Sequence, residues 1–250
     1  MNSPRIRSTQ LTIPLTRLHR LANISEADDN RLREAVRRAR VVAARRDICL
    51  EGEPITGPTM IVAGWACRSR LLSDGRRQIL GFLLPGDVIG LGRHPSPVTL
   101  SAVSAITEVM VCDAPLPQMG RADQGLGAAY AIGNALEAAY LLNHITRLGR
   151  QTAYERLAHL MLELWERLQM AGMTTGYRFP MPLTQEYLGD TLGLTSVHIN
   201  RTLQQLRREH MLEAANGYAT LLEPDALAIV ADYKPARVSG QFPERGLLAS

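Results

Sequence analysis

Val197, Asn200, Arg201, Gln204 and Arg208 recur at i, i+3, i+4, i+7 and i+11, a spacing that lines them up on one face of a helix. Their chemistry suits nucleic acid. An arginine can donate two hydrogen bonds to guanine O6 and N7, an asparagine can pair with adenine N6 and N7, and an apolar side chain can meet a thymine methyl. Val197, Asn200 and Arg201 are the candidate base readers. Thr184, Gln185, Thr195, Ser196 and His198 cluster near the starts of two short helical runs, where hydroxyls, amides and free backbone N–H groups suit phosphate oxygens. Gln204 and Arg208 extend that positioning role along the second run.

These residues need two helices and a tight turn. Thr184 predicts a cap for a helix over Gln185 to Thr191, and Thr195 predicts a cap for the next. Gly189 is small where two helices must close, and Gly193 tolerates the positive φ of the turn. Ile199, Leu203 and Leu206 form the stripe opposite the readers, and Leu188, Leu192 and Leu194 close a small core beneath the turn. Asn216-Gly217 then separates two short β-prone runs between Leu212 and Leu222, a hairpin signal. Helix-turn-helix plus hairpin predicts a winged helix. An αα-hairpin that binds nothing can show the same spacing, so spacing alone leaves DNA binding open.

Upstream, residues 1–16 read as a loose arm and Arg17 to Arg40 as helical. From Val41 to about Pro115, short β-prone runs alternate with glycine turns, which predicts a β-sandwich, jelly roll or barrel. Ala128 to Leu148 reads as a long helix. Ala129, Ile132, Leu136, Ala139 and Asn143 follow the 3-4-3-4 spacing of a dimerisation seam, and Leu141, Ile145 and Leu148 form a second stripe facing the β domain. Gly149 to Gln151 is a hinge, and Tyr154 to Met170 is another helix. The expected order is an arm over 1–16, a sensor domain over 17–122, a dimerisation helix over 123–150, a winged helix over 151–233 and a flexible tail over 234–250.

The formal charge is +4, and all 28 basic residues but Lys234 are arginine. A mild positive excess is compatible with DNA. The first 20 residues lack a signal-peptide apolar core, and no apolar run reaches membrane-spanning length, so the chain is expected in the cytoplasm without a membrane partner. Cys49, Cys67 and Cys112 are odd in number and far apart, which fits buried thiols rather than a disulfide framework or a metal site. No HExxH, GxSxG, P-loop or GxGxxG run occurs, so catalysis is not expected.

The run Asp74-Gly75-Arg76-Arg77-Gln78-Ile79, then Phe82-Leu83-Leu84-Pro85-Gly86-Asp87-Val88-Ile89-Gly90, resembles the sensor domain of the Crp/Fnr family of bacterial transcription regulators. The segment from Leu183 to Leu212 is similar to the helix-turn-helix of that family throughout. The likeness covers roughly residues 17–232. It implies an α+β chain: an amino-terminal, cyclic-nucleotide-binding-like β-roll (jelly roll), a long dimerisation helix and a carboxy-terminal winged helix-turn-helix. It further implies a homodimer on an inverted-repeat operator in double-stranded DNA, with RNA polymerase as a further partner. In the family the three reading positions carry Glu, Ser or Gly, and Arg. Here they carry Val197, Asn200 and Arg201, so the arginine is kept and the acidic residue is replaced.

Two departures bear on the input signal. Members that bind cyclic AMP place a Glu, then an Arg-Ser pair, after the Gly-Asp-x-x-Gly run. Here Leu91 takes the Glu position and Gly92 to Thr99 holds no Arg-Ser pair. Buried phosphate needs a charge-assisted partner, so tight cyclic AMP binding is not expected. Gly86, Gly90, Leu91, Arg93, His94 and Thr99 form the candidate effector loop. Iron-sulfur members carry an amino-terminal cysteine cluster, and this chain has no cysteine before Cys49. No cofactor is predicted. The alternative reading is a sensor or interaction module that binds a small molecule, or haem through His94, His19 or Cys67, with DNA binding secondary or lost. The Asn200/Arg201 pair argues against that alternative.

Overall fold

A computed structural model of the chain describes residues 8–91, 96–118 and 124–238. The fold divides into two compact units. One comprises Met1–Arg70, Phe82–Ala135 and Met170–Gly172; the other comprises Leu71–Gly81, Leu136–Gln169 and Met173–Ser250.

The first unit opens on α1 (Ser8–Leu21) and α2 (Glu26–Arg37). The expected arm over 1–16 is therefore helical from Ser8. Leu15, Leu18 and Leu21 recur at i, i+3 and i+6 and are buried. Pro14 inside α1 obscured this in the sequence, because proline ordinarily ends a helix. The single helical stretch expected from Arg17 to Arg40 is likewise broken. Ser25 restarts it as the cap of α2, its hydroxyl accepting from the Asp28 backbone N–H at 3.2 Å.

Eight strands follow: β1 (Arg40–Val42), β2 (Asp47–Cys49), β3 (Thr59–Ala63), β4 (Ala66–Leu71), β5 (Arg77–Leu83), β6 (Val88–Ile89), β7 (Ala102–Ala105) and β8 (Val109–Asp113). They form two sheets ordered β1-β8-β3-β6 and β2-β7-β4-β5. Ile61, Val109 and Val111 of the first sheet share a core with Ala66, Leu83 and Val103 of the second, so the expected two-layer β-roll is present. The Arg17 guanidinium lies 2.7 Å from an Asp87 carboxylate oxygen, both largely buried. The other Asp87 oxygen accepts from the Leu84 N–H at 2.7 Å. Asp87 of the Gly86 to Gly90 run thus holds its own turn and anchors α1.

α3 (Gly125–Arg150) contributes to both units. Its faces differ from expectation. Ala129 and Leu136 are buried within the chain, while Ile132, Ala139 and Asn143 are half-buried. The open stripe is instead Ala131, Asn134, Ala138, Leu141 and Ile145, with Leu142 beside it. It has the same 3-4-3-4 spacing displaced by two residues. Leu141 and Ile145, expected to face the β domain, point to solvent, and Leu148 is half-buried. Apolar side chains nearly encircle this helix, so periodicity alone could not choose its inner face.

The second unit continues through α4 (Ala153–Met170), β9 (Arg178–Pro180), α5 (Gln185–Leu192), α6 (Ser196–Arg208), β10 (Leu212–Ala215), β11 (Tyr218–Leu221) and α7 (Pro224–Val230). Leu157, Leu160, Leu164 and Leu168 of α4 give the unit a buried aliphatic spine. The expected hairpin pairs β10 with β11, Ala215 opposite Tyr218, with Asn216 and Gly217 at its tip. β9 adds a third strand that the sequence did not reveal. Of the expected tail, residues 239–250 lie outside the described residues. No described helix is long and apolar enough to cross a membrane.

Candidate nucleic-acid interface

α5 and α6 are set by three local devices. Thr184 and Thr195 cap them, each hydroxyl accepting a backbone N–H at 3.3 Å, from Tyr187 and His198 respectively. Gly193 ends α5 in the left-handed region, at φ 63°. A side chain at Gly189 would bring Cβ to 2.6 Å from the Leu194 carbonyl oxygen, so only glycine lets the turn pass this close.

Ile199, Thr202 and Leu206 bury one side of α6, while Leu203 is only half-buried. Thr202 was missed because its hydroxyl is satisfied locally, donating to the His198 carbonyl at 2.9 Å. The opposite side is open. Val197 is 67% exposed, and Asn200, Arg201, Gln204 and Arg208 are exposed. Gln185, Ser196, Val197, Asn200, Arg201 and Gln204 border one shallow concavity of about 350 Å³. It brings together all three candidate readers and three of the positioning residues. Thr184, Thr195 and His198 are exposed but do not border it, nor does Arg208 in the last turn. Arg201 has no hydrogen-bond or ion-pair partner among the described residues, so its guanidinium is available to a ligand.

Supporting residues went unread in the sequence because they are distant from α5 and α6 along the chain. Arg156 of α4 donates to the Leu192 carbonyl at 2.9 Å and to the Gln151 carbonyl at 2.8 Å, bracing the end of α5. Within the same unit, Arg77 meets the Asp190 carboxylate at 2.7 Å, and Gln78 donates to the Asp190 carbonyl at 2.9 Å. Arg207 donates to the Ala214 carbonyl at 3.1 Å, tying α6 to the wing. On the wing, the Arg178 guanidinium stacks 4.4 Å from the Tyr218 ring centroid.

The described residues of the candidate effector loop do not gather into one site. Gly90 and Leu91 line a cavity of about 490 Å³ in the first unit, together with Ile55, Pro58, Tyr130 and Asn134. Gly86 is not part of its lining. Thr99 is turned toward the Leu50 to Glu53 turn: its hydroxyl donates to the Leu50 carbonyl and accepts from the Glu53 N–H at 3.1 Å. Arg93 and His94 lie outside the described residues. Among the described residues no charged side chain lines the cavity, so they do not fit a cyclic phosphate.

Nor do the described haem candidates gather. His19 is paired with Asp29 at 2.7 Å, and Cys67 is buried in β4. Burial pushes the Cys112 thiol up to about 12, which keeps it protonated, and burial raises the Cys49 thiol too. No three His, Cys, Asp or Glu side chains among the described residues stand together as a metal site.

Known proteins are similar to this chain in sequence and fold. The family described as the cyclic nucleotide-binding domain matches residues 39–120, and the Crp-like helix-turn-helix domain matches residues 155–229. The nitrogen fixation regulation protein FixK of Bradyrhizobium diazoefficiens is 33% identical over 165 residues, which is 62% of this chain and 65% of that one. FixK of Rhizobium meliloti is 30% identical over 160 residues, 63% of this chain and 70% of that one. The solved structure of FixK2 from Bradyrhizobium japonicum is 28% identical with a TM-score of 0.63, covering 80% of this chain and 99% of its own.

Proposed function

The chain belongs to the Crp/Fnr family of DNA-binding transcription regulators, and from that premise we propose that it acts as a homodimer reading an inverted-repeat operator through α6. The observation that carries this reading is the open Arg201, unpaired among the described residues, beside Asn200 and Val197 on a helix whose other face is locked into the core. Arg201 donates to guanine O6 and N7, Asn200 addresses an adenine edge, and Val197 covers a thymine methyl. Thr184, Gln185, Thr195, Ser196, His198 and Arg208 position the helix on phosphates.

The open stripe of α3, from Ala131 to Ile145, joins two copies, and half-sites then fall about one helical turn apart. Double-stranded DNA, a second copy and RNA polymerase are the partners, in the cytoplasm, and no catalysis is involved. The effector is not cyclic AMP, because the described cavity lining offers its phosphate no cation. The uncharged lining suits a small neutral molecule instead. Micromolar binding of cyclic AMP in titration calorimetry would overturn that part.

Selection of binding sites from a random DNA pool tests the main reading. The wild-type protein selects an inverted repeat. Arg201→Ala costs about 1–3 kcal/mol and relaxes choice at one base pair per half-site. Val197→Glu moves preference toward cytosine, whose N4 amine a carboxylate accepts. Unchanged affinity and sequence preference for Arg201→Ala would rule out its assignment.

A further inference from the structure

Asn200 and Gln204 are four residues apart on the open face of α6, and they are not independent. The Gln204 Nε2–H donates to Asn200 Oδ1 at 2.9 Å. Both border the concavity that holds Arg201 and Val197. The bond changes what each amide offers. Asn200 alone can present a donor and an acceptor to a single adenine. With its oxygen engaged by Gln204, Asn200 offers chiefly its Nδ2 donors, and the free acceptor of the pair is Gln204 Oε1. Exchanging the amide roles gives the same inventory, one donor from one side chain and one acceptor from the other.

Four residues of helix advance about 6 Å, and successive base pairs rise about 3.4 Å. The backbone positions are offset by that helical advance while the tips touch at 2.9 Å, close to the step between base pairs, so the joined amides suit two neighbouring base pairs better than the two edges of one base. We propose that Asn200 and Gln204 form a single composite reader of two adjacent base pairs. The donor end meets a purine N7 or thymine O4. The acceptor end meets an exocyclic amine, adenine N6 or cytosine N4. The assignment gives Gln204 a base-reading role in place of the phosphate contact expected from its position. Phosphate oxygens accept hydrogen bonds only, so they can use the second Nε2–H of Gln204 but not its free carbonyl, which a base amine satisfies. The proposal rests on the reading that α6 enters the major groove, and its test separates the two.

The experiment is binding-site selection with the full-length protein, followed by affinity measurement on the selected operator. For the wild type, an amine-bearing base is preferred at a position next to the one set by Asn200. Gln204→Leu loses that preference, broadens the neighbouring position, and weakens binding about 3- to 10-fold. Gln204→Glu keeps the acceptor but cannot donate to Asn200, so it retains the amine preference while the Asn200 position broadens. The double variant Asn200→Ala/Gln204→Leu loses less than the product of the two single losses. If the wild type selects a sequence and Gln204→Leu selects the same one, with or without a uniform loss of affinity, the composite reader is wrong and Gln204 serves only α6 or the backbone. If the wild type selects no sequence at all, the reading of α6 itself falls, and the composite reader with it.

Discussion

Arg147 of α3 and Glu163 of α4 form an ion pair at 2.8 Å, with side chains only 1% and 5% exposed. The pair spans the joint between the two helices, where Gly149 to Gln151 had suggested a hinge. Arg167 also lies 3.9 Å from Glu163 and packs over the Tyr140 ring at 4.6 Å, and the Arg147 Nε and Nη1 atoms have no hydrogen-bond partner among the described residues. The Glu163 carboxylate thus faces two buried guanidinium groups. Glu163→Gln should destabilise the protein by about 3–5 kcal/mol, because it strands buried positive charge. Arg147→Met should cost less, since Glu163 keeps Arg167. Urea denaturation of both variants checks the order, and equal losses would count against this account.

Acid should weaken the same unit. Burial, reinforced by Arg147, pushes His144 and His159 from the ordinary 6.5 down to about 4. The unfolded chain therefore takes up protons below pH 6.5 that the folded chain refuses until about pH 4, so stability falls as pH drops through that window. Glu166 opposes this. Burial pushes it up to about 7 despite the hydrogen bond from Tyr233, so its contribution is full below pH 4.5 and is lost as pH rises toward 7. Two histidines outweigh one glutamate. The melting temperature should fall from pH 7 to pH 5, and more steeply in Glu166→Gln, where the opposing group is gone. Melts at pH 5, 6 and 7 test this; a flat profile in both proteins would contradict it.

Two leucines on α3 should respond differently to substitution. Leu136 is 1% exposed, whereas Leu142 is 66% exposed. Leu136→Ala should lower folding stability by about 2–5 kcal/mol. Leu142→Glu combined with Ile145→Glu should leave the folded chain intact and weaken self-association, which sedimentation equilibrium measures. It should also weaken binding to a full inverted repeat more than to a half-site. Undiminished dimerisation in that double variant would place the interface elsewhere.

Gly189 leaves the least room in the turn between α5 and α6. Gly189→Ala places Cβ 2.6 Å from the Leu194 carbonyl oxygen, a backbone atom that can retreat only if the turn opens. It should cost about 1–3 kcal/mol of stability and also reduce operator affinity, because α6 is displaced with the turn. Gel shifts and thermal melts check the two effects together.

The reading helix was legible because its determinants are local. Caps at Thr184 and Thr195, the left-handed Gly193 and the Asn216-Gly217 tip each act within a few residues, and each stands where the sequence places it. The start of α1 was hidden by Pro14, whose local preference is overridden by burial of Leu15, Leu18 and Leu21. The open face of α3 was not legible because the helix carries apolar side chains almost all round. Only the packing of Ala129 and Leu136 shows which of them remain free.

The sequence by itself determined the order of elements, the helix-turn-helix with its wing, and the types of side chain on the open face of α6, because turns, caps and periodicity depend on neighbours along the chain. Tertiary structure alone decided which face of α3 stays open, that Arg147 and Glu163 meet in the core, and that Gln204 engages the oxygen of Asn200. Burial and side-chain pairing depend on which atoms fill the surrounding space, and residue types along the chain do not specify that neighbourhood.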